Sequence, residues 1–294
     1  MKERDFLVRL HLCPGIGLSG EYKLYQFYQK FTRLPTPIEL QVLLNYTAKQ
    51  AQNFYDAFKS EQLTQKVALN ITNSQVLTIV DEQYPLQLKE IYQPPLVLFC
   101  KGDLKLLQTP MLAIVGARQM SSYATQVLES FMPKLAMKLT IVSGLAQGVD
   151  SLAQNLTLKN YGKTIAVIGT GLNISYPKSN AFLQQEIGKK GLLLSEYGLD
   201  EKPLRFHFPY RNRIIAGLAQ ATLVVEARHK SGSLITANLA LQENRDVLAI
   251  PGSLYQPLSE GCNELIQAGA KLILTPQDII EEFSNYLTNF NKIE

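Results

Sequence analysis

The sequence predicts an α/β fold, in which a doubly wound and mostly parallel sheet follows a small all-helical domain. Three observations lead to this prediction. Short apolar runs recur after about residue 76, and several lack polar interruption, as in strands buried on both faces of a parallel sheet. Segments with helical periodicity separate these runs, and the first sixty or so residues have helical periodicity throughout. Strands that alternate with helices in this way are typical of a doubly wound sheet.

The helical domain is expected to occupy residues 1–66. Its apolar residues recur at roughly helical spacing, and Thr36-Pro37 marks a break after which a helix restarts. The sheet domain is expected to occupy residues 67–290. Its segment 81–110 contains four prolines and is expected to form an extension ahead of the main sheet.

The apolar runs predict nine strands, at residues 76–80, 96–100, 112–115, 139–142, 165–168, 192–194, 223–225, 247–250 and 272–274. The helical segments between them predict six helices, at residues 121–138, 148–160, 180–189, 210–220, 233–244 and 261–269. The chain ends soon after residue 278, so we expect no appended winged-helix domain.

The composition is that of an ordinary globular protein, with 46% hydrophobic and 18% charged residues, and the net charge of +4 permits nucleic-acid binding without requiring it. No segment has the roughly 18 uncharged apolar residues that span a membrane, and the amino terminus lacks the apolar core of a signal peptide. Cys13, Cys100 and Cys262 are too widely spaced to suggest a disulfide framework, which fits a reducing cytoplasm. Since the histidines are scattered too, we expect neither a metal site nor a bound cofactor.

Two motif matches lack the structural context that their function requires. The sequence GIGLSG at residues 15–20 satisfies the dinucleotide-binding pattern, but no predicted strand precedes it. Its surroundings suggest a turn between two helices, either with a phosphate held by glycine amides, as in a helix-hairpin-helix, or with no ligand. The triplet GKT at residues 162–164 is similar to the end of a P-loop, but it precedes a strand and the first glycine of the motif is missing. We therefore do not expect an ATPase.

Small and polar residues follow the carboxyl ends of the predicted strands. In a parallel sheet these ends meet at one edge, where free backbone amides and helix amino termini favour an anion. Several such loops on one edge, with Arg118 and Lys178 among them, predict a crevice for a polyphosphate or a nucleic-acid backbone. The residues expected there are Gly116, Arg118, Ser143, Gly144, Gly169, Lys178, Ser231, Gly232, Ser233 and Thr236.

Aromatic and basic residues crowd the segment 206–213, immediately before a predicted apolar helix. Arginine can hold phosphate through two hydrogen bonds, and exposed aromatic rings can stack on unpaired bases. We expect at least one of Arg211 and Arg213 to contact phosphate. The alternative is that one of the two arginines pairs with Glu196 or Glu226.

Three other residues near these loops are interpreted as structural. For Phe206 and Phe208 we favour a position in the core. Asp150 lies where a helix begins, so we interpret it as a capping residue. Since no nucleophile elbow, catalytic triad order or recognisable pair of carboxylates is present, we expect no enzymatic activity.

Five ordered segments resemble the DprA family, which is also called Smf. They are residues 113–119 (AIVGARQ), 142–151 (VSGLAQGVDS), 208–219 (FPYRNRIIAGLA), 226–241 (EARHKSGSLITANLAL) and 249–253 (AIPGS). The resemblance covers nearly everything after residue 80, and the helical start resembles the sterile-alpha-motif-like domain of that family. Gln147 departs from the pattern, because many relatives have arginine there, and this difference is expected to weaken DNA binding.

The resemblance implies a Rossmann-like fold and a recombination mediator that is not an enzyme. Such a mediator binds incoming single-stranded DNA, protects it and helps to load the RecA recombinase during natural transformation. The resemblance also implies a homodimer and direct contact with RecA, with dimer contacts around Leu265 and Ile266. In the family's pattern the DNA pocket falls on Gly116, Arg118, Lys178, Arg211, Asn212 and Arg213.

Two other functional classes are compatible with a sheet of this kind. One is a Rossmann-like nucleotide-binding or nucleotide-hydrolysing protein of the lysine-decarboxylase-like group. That group has a Pro-Gly-Gly-x-Gly-Thr run followed by a glutamate, whereas the comparable loop here is SGSLIT at residues 231–236, without such a glutamate. The other is a protein-interaction scaffold that binds no nucleic acid.

Overall fold

The computed structural model describes residues 1–284 and residue 286, and the chain forms two compact units. The amino-terminal unit comprises Met1–Tyr84 and Pro95–Phe99, and the sheet unit comprises Pro85–Pro94 and the chain from Cys100 onward. The domain boundary predicted at residue 66 stays a prediction, and the predicted domain end at residue 290 lies outside the described residues.

The amino-terminal unit is mainly helical. Its elements are α1 (Glu3–Leu12), α2 (Leu18–Phe31), α3 (Pro37–Leu44), α4 (Ala48–Lys59), α5 (Glu61–Asn73), β1 (Gln75–Thr78) and the first residues of β2 (Val97–Gly102). Thr36 and Thr47 each begin a helix with a capping box, in which side chain and backbone satisfy each other's hydrogen bonds. Aromatic packing fills the interior, where Phe6 stacks on Tyr28 with ring centroids 3.9 Å apart.

The glycine pattern at residues 15–20 lies between α1 and α2. Gly15 has a φ of +86°, a conformation that glycine adopts without strain, and Gly17 is the residue that precedes α2. The predicted turn between two helices is confirmed, because a helix and not a strand precedes these glycines.

The sheet unit alternates strands and helices. Its elements after β2 are β3 (Met111–Val115), α7 (Ser122–Leu135), β4 (Thr140–Ser143), α8 (Val149–Lys159), β5 (Thr164–Ile168), α9 (Ala181–Lys190), β6 (Leu192–Ser195), α10 (His207–Leu218), β7 (Ala221–Val224), α11 (Gly232–Gln242), β8 (Asp246–Ala249), α12 (Glu260–Gln267), β9 (Lys271–Leu272) and α13 (Pro276–Glu282). A short helix α6 (Leu86–Lys89) and two 3-10 turns (Leu104–Gln108 and Lys178–Asn180) complete the unit.

Strands β3 to β9 lie in the order β6-β5-β4-β3-β7-β8-β9, and each neighbouring pair among them is parallel. The chain therefore steps outward from β3 to one side and then, through β7, to the other. This reversal beside β3 is the point at which doubly wound sheets bind ligands. The predicted α/β class and the Rossmann-like, doubly wound sheet are confirmed.

Each predicted strand and helix has a counterpart within a few residues of its predicted position. Helix α10 begins at His207, three residues before the helix predicted at 210–220, so most of the aromatic and basic segment 206–213 lies within it. Pro209 did not prevent this earlier start, because a proline in the first turn of a helix loses no intrahelical hydrogen bond.

The main core lies between the sheet and the helices packed on it. Every residue of β3 is buried, as expected for a central strand covered on both faces. Leu128 and Met132 of α7 pack into the same cluster as Leu112 and Ile114 of β3. This packing fixes the start of α7 at the carboxyl edge of the sheet.

The three cysteines are buried, and none of them forms a disulfide. Burial raises the pKa of Cys13 and of Cys262 to about 12, which keeps both thiols protonated at neutral pH. Among the described residues, no helix combines the length and the apolar character that crossing a bilayer requires.

Replacement of Met132, a fully buried core residue, tests the packing of α7 on the sheet. We expect Met132→Ala to lower the free energy of unfolding by about 2–5 kcal/mol, because the substitution removes buried surface and leaves a cavity. Met137→Ala is the matched control, since Met137 is 81% exposed and should tolerate the change. Urea denaturation checks both variants, and equal midpoints for the two would contradict the assignment of the core.

Candidate functional site

A crevice of about 680 Å³ opens at the carboxyl edge of the sheet. It lies among the loops that follow β3, β4 and β7 and the first turns of α10 and α11. Its lining includes Gly116, Ala117, Arg118, Gln119, Ala146, Gln147, Asp150, Phe208, Pro209, Arg211, Asn212, Ile215, Arg228, Ser231, Gly232, Ser233, Ile235, Thr236 and Leu258. Three arginines and one aspartate are the charged residues of this lining, so the crevice favours an anion.

A smaller cavity of about 100 Å³ adjoins the crevice. The two cavities share Arg118, Ala146, Gln147, Phe208 and Arg211. The smaller cavity also reaches Gly144, Gly169, Tyr176 and Pro177, which follow β4 and β5. The two cavities together extend the site across the loops of four neighbouring parallel strands.

Most of the residues predicted for the site meet here. All but three of the thirteen line one of the two cavities: Gly116, Arg118, Gly144, Gly169, Arg211, Asn212, Ser231, Gly232, Ser233 and Thr236. The structure places Ser143, Lys178 and Arg213 outside both linings. That the thirteen residues bind DNA stays a prediction.

Each of the three residues outside the linings has an identifiable environment. Ser143 is buried, and its hydroxyl donates to the carbonyl of Ile114 at 2.6 Å, which ties β4 to β3. Arg213 is buried and donates to Glu196 at 2.5 Å, as in the alternative that the sequence left open. Lys178 is exposed and directly follows Pro177, which lines the smaller cavity.

Arg211 is the most constrained cation of the crevice. Its side chain is buried, and Nη1 donates to the carbonyl of Gly144 at 2.6 Å and also to the carbonyl of Val167. Burial lowers the pKa of Arg211 to about 10, a value at which it still carries its charge at neutral pH. Nη2 makes no hydrogen bond within the described part of the chain, so it can still donate to a ligand in the cavity.

Asp150 holds the loop that precedes α8, and its interpretation as a helix cap is wrong. The carboxylate accepts from the backbone N–H of Gly144 at 3.1 Å, and no side chain caps α8. The reason is geometric, because Asp150 is the second residue of α8 and its side chain turns back toward the loop. Burial raises the pKa of Asp150, and the nearby charge of Arg211 opposes this shift.

Two glycines allow these loops to pack closely. A Cβ at Gly144 would lie 2.5 Å from two nitrogens of the Arg211 guanidinium. Gly148 has a φ of +85°, and a Cβ there would lie 2.3 Å from the carbonyl oxygen of Ala117. Gly148 therefore allows the loops after β3 and β4 to meet, and the absence of a side chain at Gly144 leaves room for the guanidinium of Arg211.

Helix α11 points its amino terminus at the crevice. Ser231 precedes the helix without a capping hydrogen bond, and its hydroxyl lies 2.9 Å from that of Ser233. The backbone N–H groups of a first helical turn have no partner inside the helix, and the helix dipole adds positive potential there. Arg118 is exposed across the same cavity, so two kinds of positive potential converge on it.

Aromatic side chains border the smaller cavity, and the expected core position of Phe206 is wrong. Phe206 is 61% exposed because it precedes α10 at the surface, while Phe208 is half-buried and lines both cavities. The ring of Phe208 lies 5.1 Å from that of Tyr176, centroid to centroid. The cavity thus combines an aromatic wall with the cations Arg118 and Arg211.

Sequence reasoning did not assign Arg228, Tyr176 or Leu258 to the site. Arg228 and Tyr176 each lie shortly after the end of a strand, which is the signal that could have identified them. Leu258 carries no such signal, because it reaches the crevice from a long loop that follows β8. The predicted dimer residues lie on α12, where Leu265 is buried and Ile266 is half-buried. Their role stays a prediction.

The doubly wound sheet defines a Rossmann-like protein, and its carboxyl edge holds a crevice lined by three arginines. The chain belongs to the family described as DNA recombination-mediator protein A, whose model matches residues 75–284. The resemblance to this family that the sequence motifs indicated is therefore confirmed.

Two relatives illustrate the extent of the similarity. The DNA processing protein DprA of Streptococcus pneumoniae is 53% identical over 206 residues, which are 70% of this chain and 73% of the relative. DprA of Bacillus subtilis is 45% identical over 208 residues, which are 70% of both chains.

Two solved structures are also similar to this chain. The crystal structure of DprA from Streptococcus pneumoniae has a TM-score of 0.87 at 40% identity, and the match covers 97% of this chain and 99% of that one. A structure of DprA from Helicobacter pylori, described as showing a single-stranded DNA binding mode, has a TM-score of 0.64 at 34% identity. That match covers 75% of this chain and 98% of the other.

Protonation of His207, beside the smaller cavity, should destabilise the folded protein. Burial lowers the pKa of His207 from its ordinary value of 6.5. The carbonyl of Gly169, 3.2 Å from Nδ1, and the charges of Glu201 and Glu196 oppose this shift but do not cancel it. As the pH falls below 6.5, the unfolded chain therefore takes up a proton before the folded chain does. We expect stability to decrease from pH 7 to pH 5, and to decrease less in His207→Gln.

Urea denaturation at each pH measures this difference. His229→Gln is the control, because His229 is exposed and its contact with Glu264 lies at the surface. A pH dependence of His207→Gln equal to that of the unmodified protein would contradict the predicted role of His207.

Proposed function

We propose that the crevice binds single-stranded DNA, and that the protein protects the strand and loads the RecA recombinase onto it during natural transformation. We further propose that it does so as a cytoplasmic homodimer without catalysing a reaction. The observation that carries this proposal is the convergence of Arg118, Arg211 and the amino terminus of α11 on one open cavity. Such a cavity matches the repeated anionic groups of a nucleic-acid backbone.

The aromatic wall favours an unpaired strand over a duplex. Phe208 and Tyr176 offer ring faces beside the cations, and the bases of a single strand are free to stack on such rings. In a duplex the base faces are occupied by their neighbours. The single-strand binding described for the Helicobacter pylori relative supports the same ligand for this chain.

Removing the two exposed cations should weaken DNA binding. We expect Arg118→Ala/Lys178→Ala to bind labelled oligo-dT at least about tenfold more weakly, because the variant cannot form charge-assisted hydrogen bonds to phosphate at these positions. The slope of log affinity against log salt should become shallower by roughly 0.7 for each phosphate that the variant no longer neutralises. Fluorescence anisotropy at several salt concentrations measures both quantities.

Lys163→Ala is the matched control, because Lys163 is exposed immediately before β5 and so lies at the opposite edge of the sheet. Circular dichroism establishes that all three proteins are folded. Absence of binding by the folded, unmodified protein would overturn the proposal. Release of a free base from a nucleoside monophosphate would instead favour the nucleotide-hydrolysing alternative.

RecA loading requires a separate measurement. We expect the protein to stimulate the DNA-dependent ATPase activity of RecA on strands coated with single-strand-binding protein, and we expect the Arg118→Ala/Lys178→Ala variant not to do so. Equal stimulation by both proteins would show that the effect on RecA does not depend on Arg118 and Lys178.

A further inference from the structure

The loop that follows β8 presents two large apolar side chains to solvent. Leu254 is 83% exposed and Tyr255 is 93% exposed. Within the described residues, neither the ring nor the hydroxyl of Tyr255 has a partner. Two adjacent large apolar groups in solvent lack the stabilisation that burial would provide. Exposed apolar patches of this kind mark sites of interaction.

Both ends of this loop are anchored. The hydroxyl of Tyr123 donates to the carbonyl of Pro251 at 2.6 Å, and the side chain of Asn263 bonds both the N–H and the carbonyl of Gly252. At the other end, the N–H of Ala227 donates to the carbonyl of Leu258 at 2.8 Å. The tip at Leu254 and Tyr255 is therefore held out from a fixed base.

The anchored loop borders the crevice. Leu258 lines the larger cavity, and Tyr255 is three residues away, so at most about 11 Å of chain separates them. Ala227, which bonds Leu258, is followed by Arg228, His229 and Lys230, all of which are exposed. Residues 251–259 include no acidic side chain, so the tip does not repel phosphate.

A second aromatic group lies at the far end of the site. Tyr176 is exposed in the loop after β5, and its ring contacts Phe208. Strand β5 and strand β8 are separated by four strand spacings, which at about 4.8 Å each amount to about 19 Å. The Tyr176–Phe208 pair and Tyr255 therefore lie toward the two ends of the span from β5 to β8, with Arg118 and Arg211 between them.

We propose that one unpaired DNA strand lies across the ends of β5 to β8, and that Tyr255 stacks on a base where the strand leaves the crevice. This inference rests on the proposed function and extends it to the path of the strand. At the stacked spacing of about 3.4 Å per nucleotide, 19 Å corresponds to about six nucleotides. A strand shorter than this span does not reach Tyr255 while it occupies the Tyr176 end.

Oligo-dT strands of 3, 6, 9 and 12 nucleotides, measured by anisotropy against Tyr255→Ala, test the proposal. We expect Tyr255→Ala to bind the 9- and 12-nucleotide strands about 5- to 150-fold more weakly than the unmodified protein, as the loss of one base stack implies. Its deficit with the 3-nucleotide strand should be much smaller. Tyr255→Phe should bind all lengths normally, because the stacking face remains.

Tyr161→Ala is the matched control, since Tyr161 is 96% exposed and precedes β5 at the opposite edge of the sheet. Wild-type affinity of Tyr255→Ala at every length, with binding still dependent on Arg118 and Lys178, would overturn this inference alone. Loss of self-association in Tyr255→Ala, measured by light scattering, with unchanged DNA affinity would overturn it too and assign the tip to a second copy of the chain. No binding by the folded, unmodified protein would overturn the proposed function as well.

Discussion

The buried guanidinium of Arg211 is the interaction on which the arrangement of the crevice depends. A charged group removed from water is unfavourable unless hydrogen bonds and an opposite charge compensate for it. Here the carbonyls of Gly144 and Val167 accept from Nη1, and the carboxylate of Asp150 supplies the charge. Since these acceptors come from the loop after β4, from β5 and from α8, one side chain of α10 holds three parts of the carboxyl edge together.

This arrangement explains why two neighbouring arginines have different environments. Residues two apart on a helix point in nearly opposite directions, because successive side chains turn by about 100°. Arg211 therefore faces the crevice while Arg213 faces Glu196 in the interior. The helix predicted at residues 210–220 already contained both arginines, but the sequence does not show which of them faces the crevice.

The sequence predicted the fold well because its signals are local. Continuous apolar runs and helical periodicity define β3 to β9 and the helices between them, and parallel pairing then requires their carboxyl ends to meet at one edge. The site was predicted less completely, because its details depend on side-chain direction. Phe206 was expected in the core from its apolarity, and only the start of α10 shows that it remains outside. Asp150 matched a capping position, but its partner is the Gly144 amide in the preceding loop.

The positive potential of the crevice comes from two kinds of source that respond differently to salt. Arg211 and the amino terminus of α11 are fixed by the fold and buried or partly buried, so counterions screen them weakly. Arg118, Lys178 and Arg228 are exposed at the surface, where screening is strong. Binding an anion to the fixed groups requires little free energy for reorganisation, because the fold sets their geometry in advance. In the proposed function, the exposed groups attract the strand from a distance, and the fixed groups hold it once it lies in the crevice.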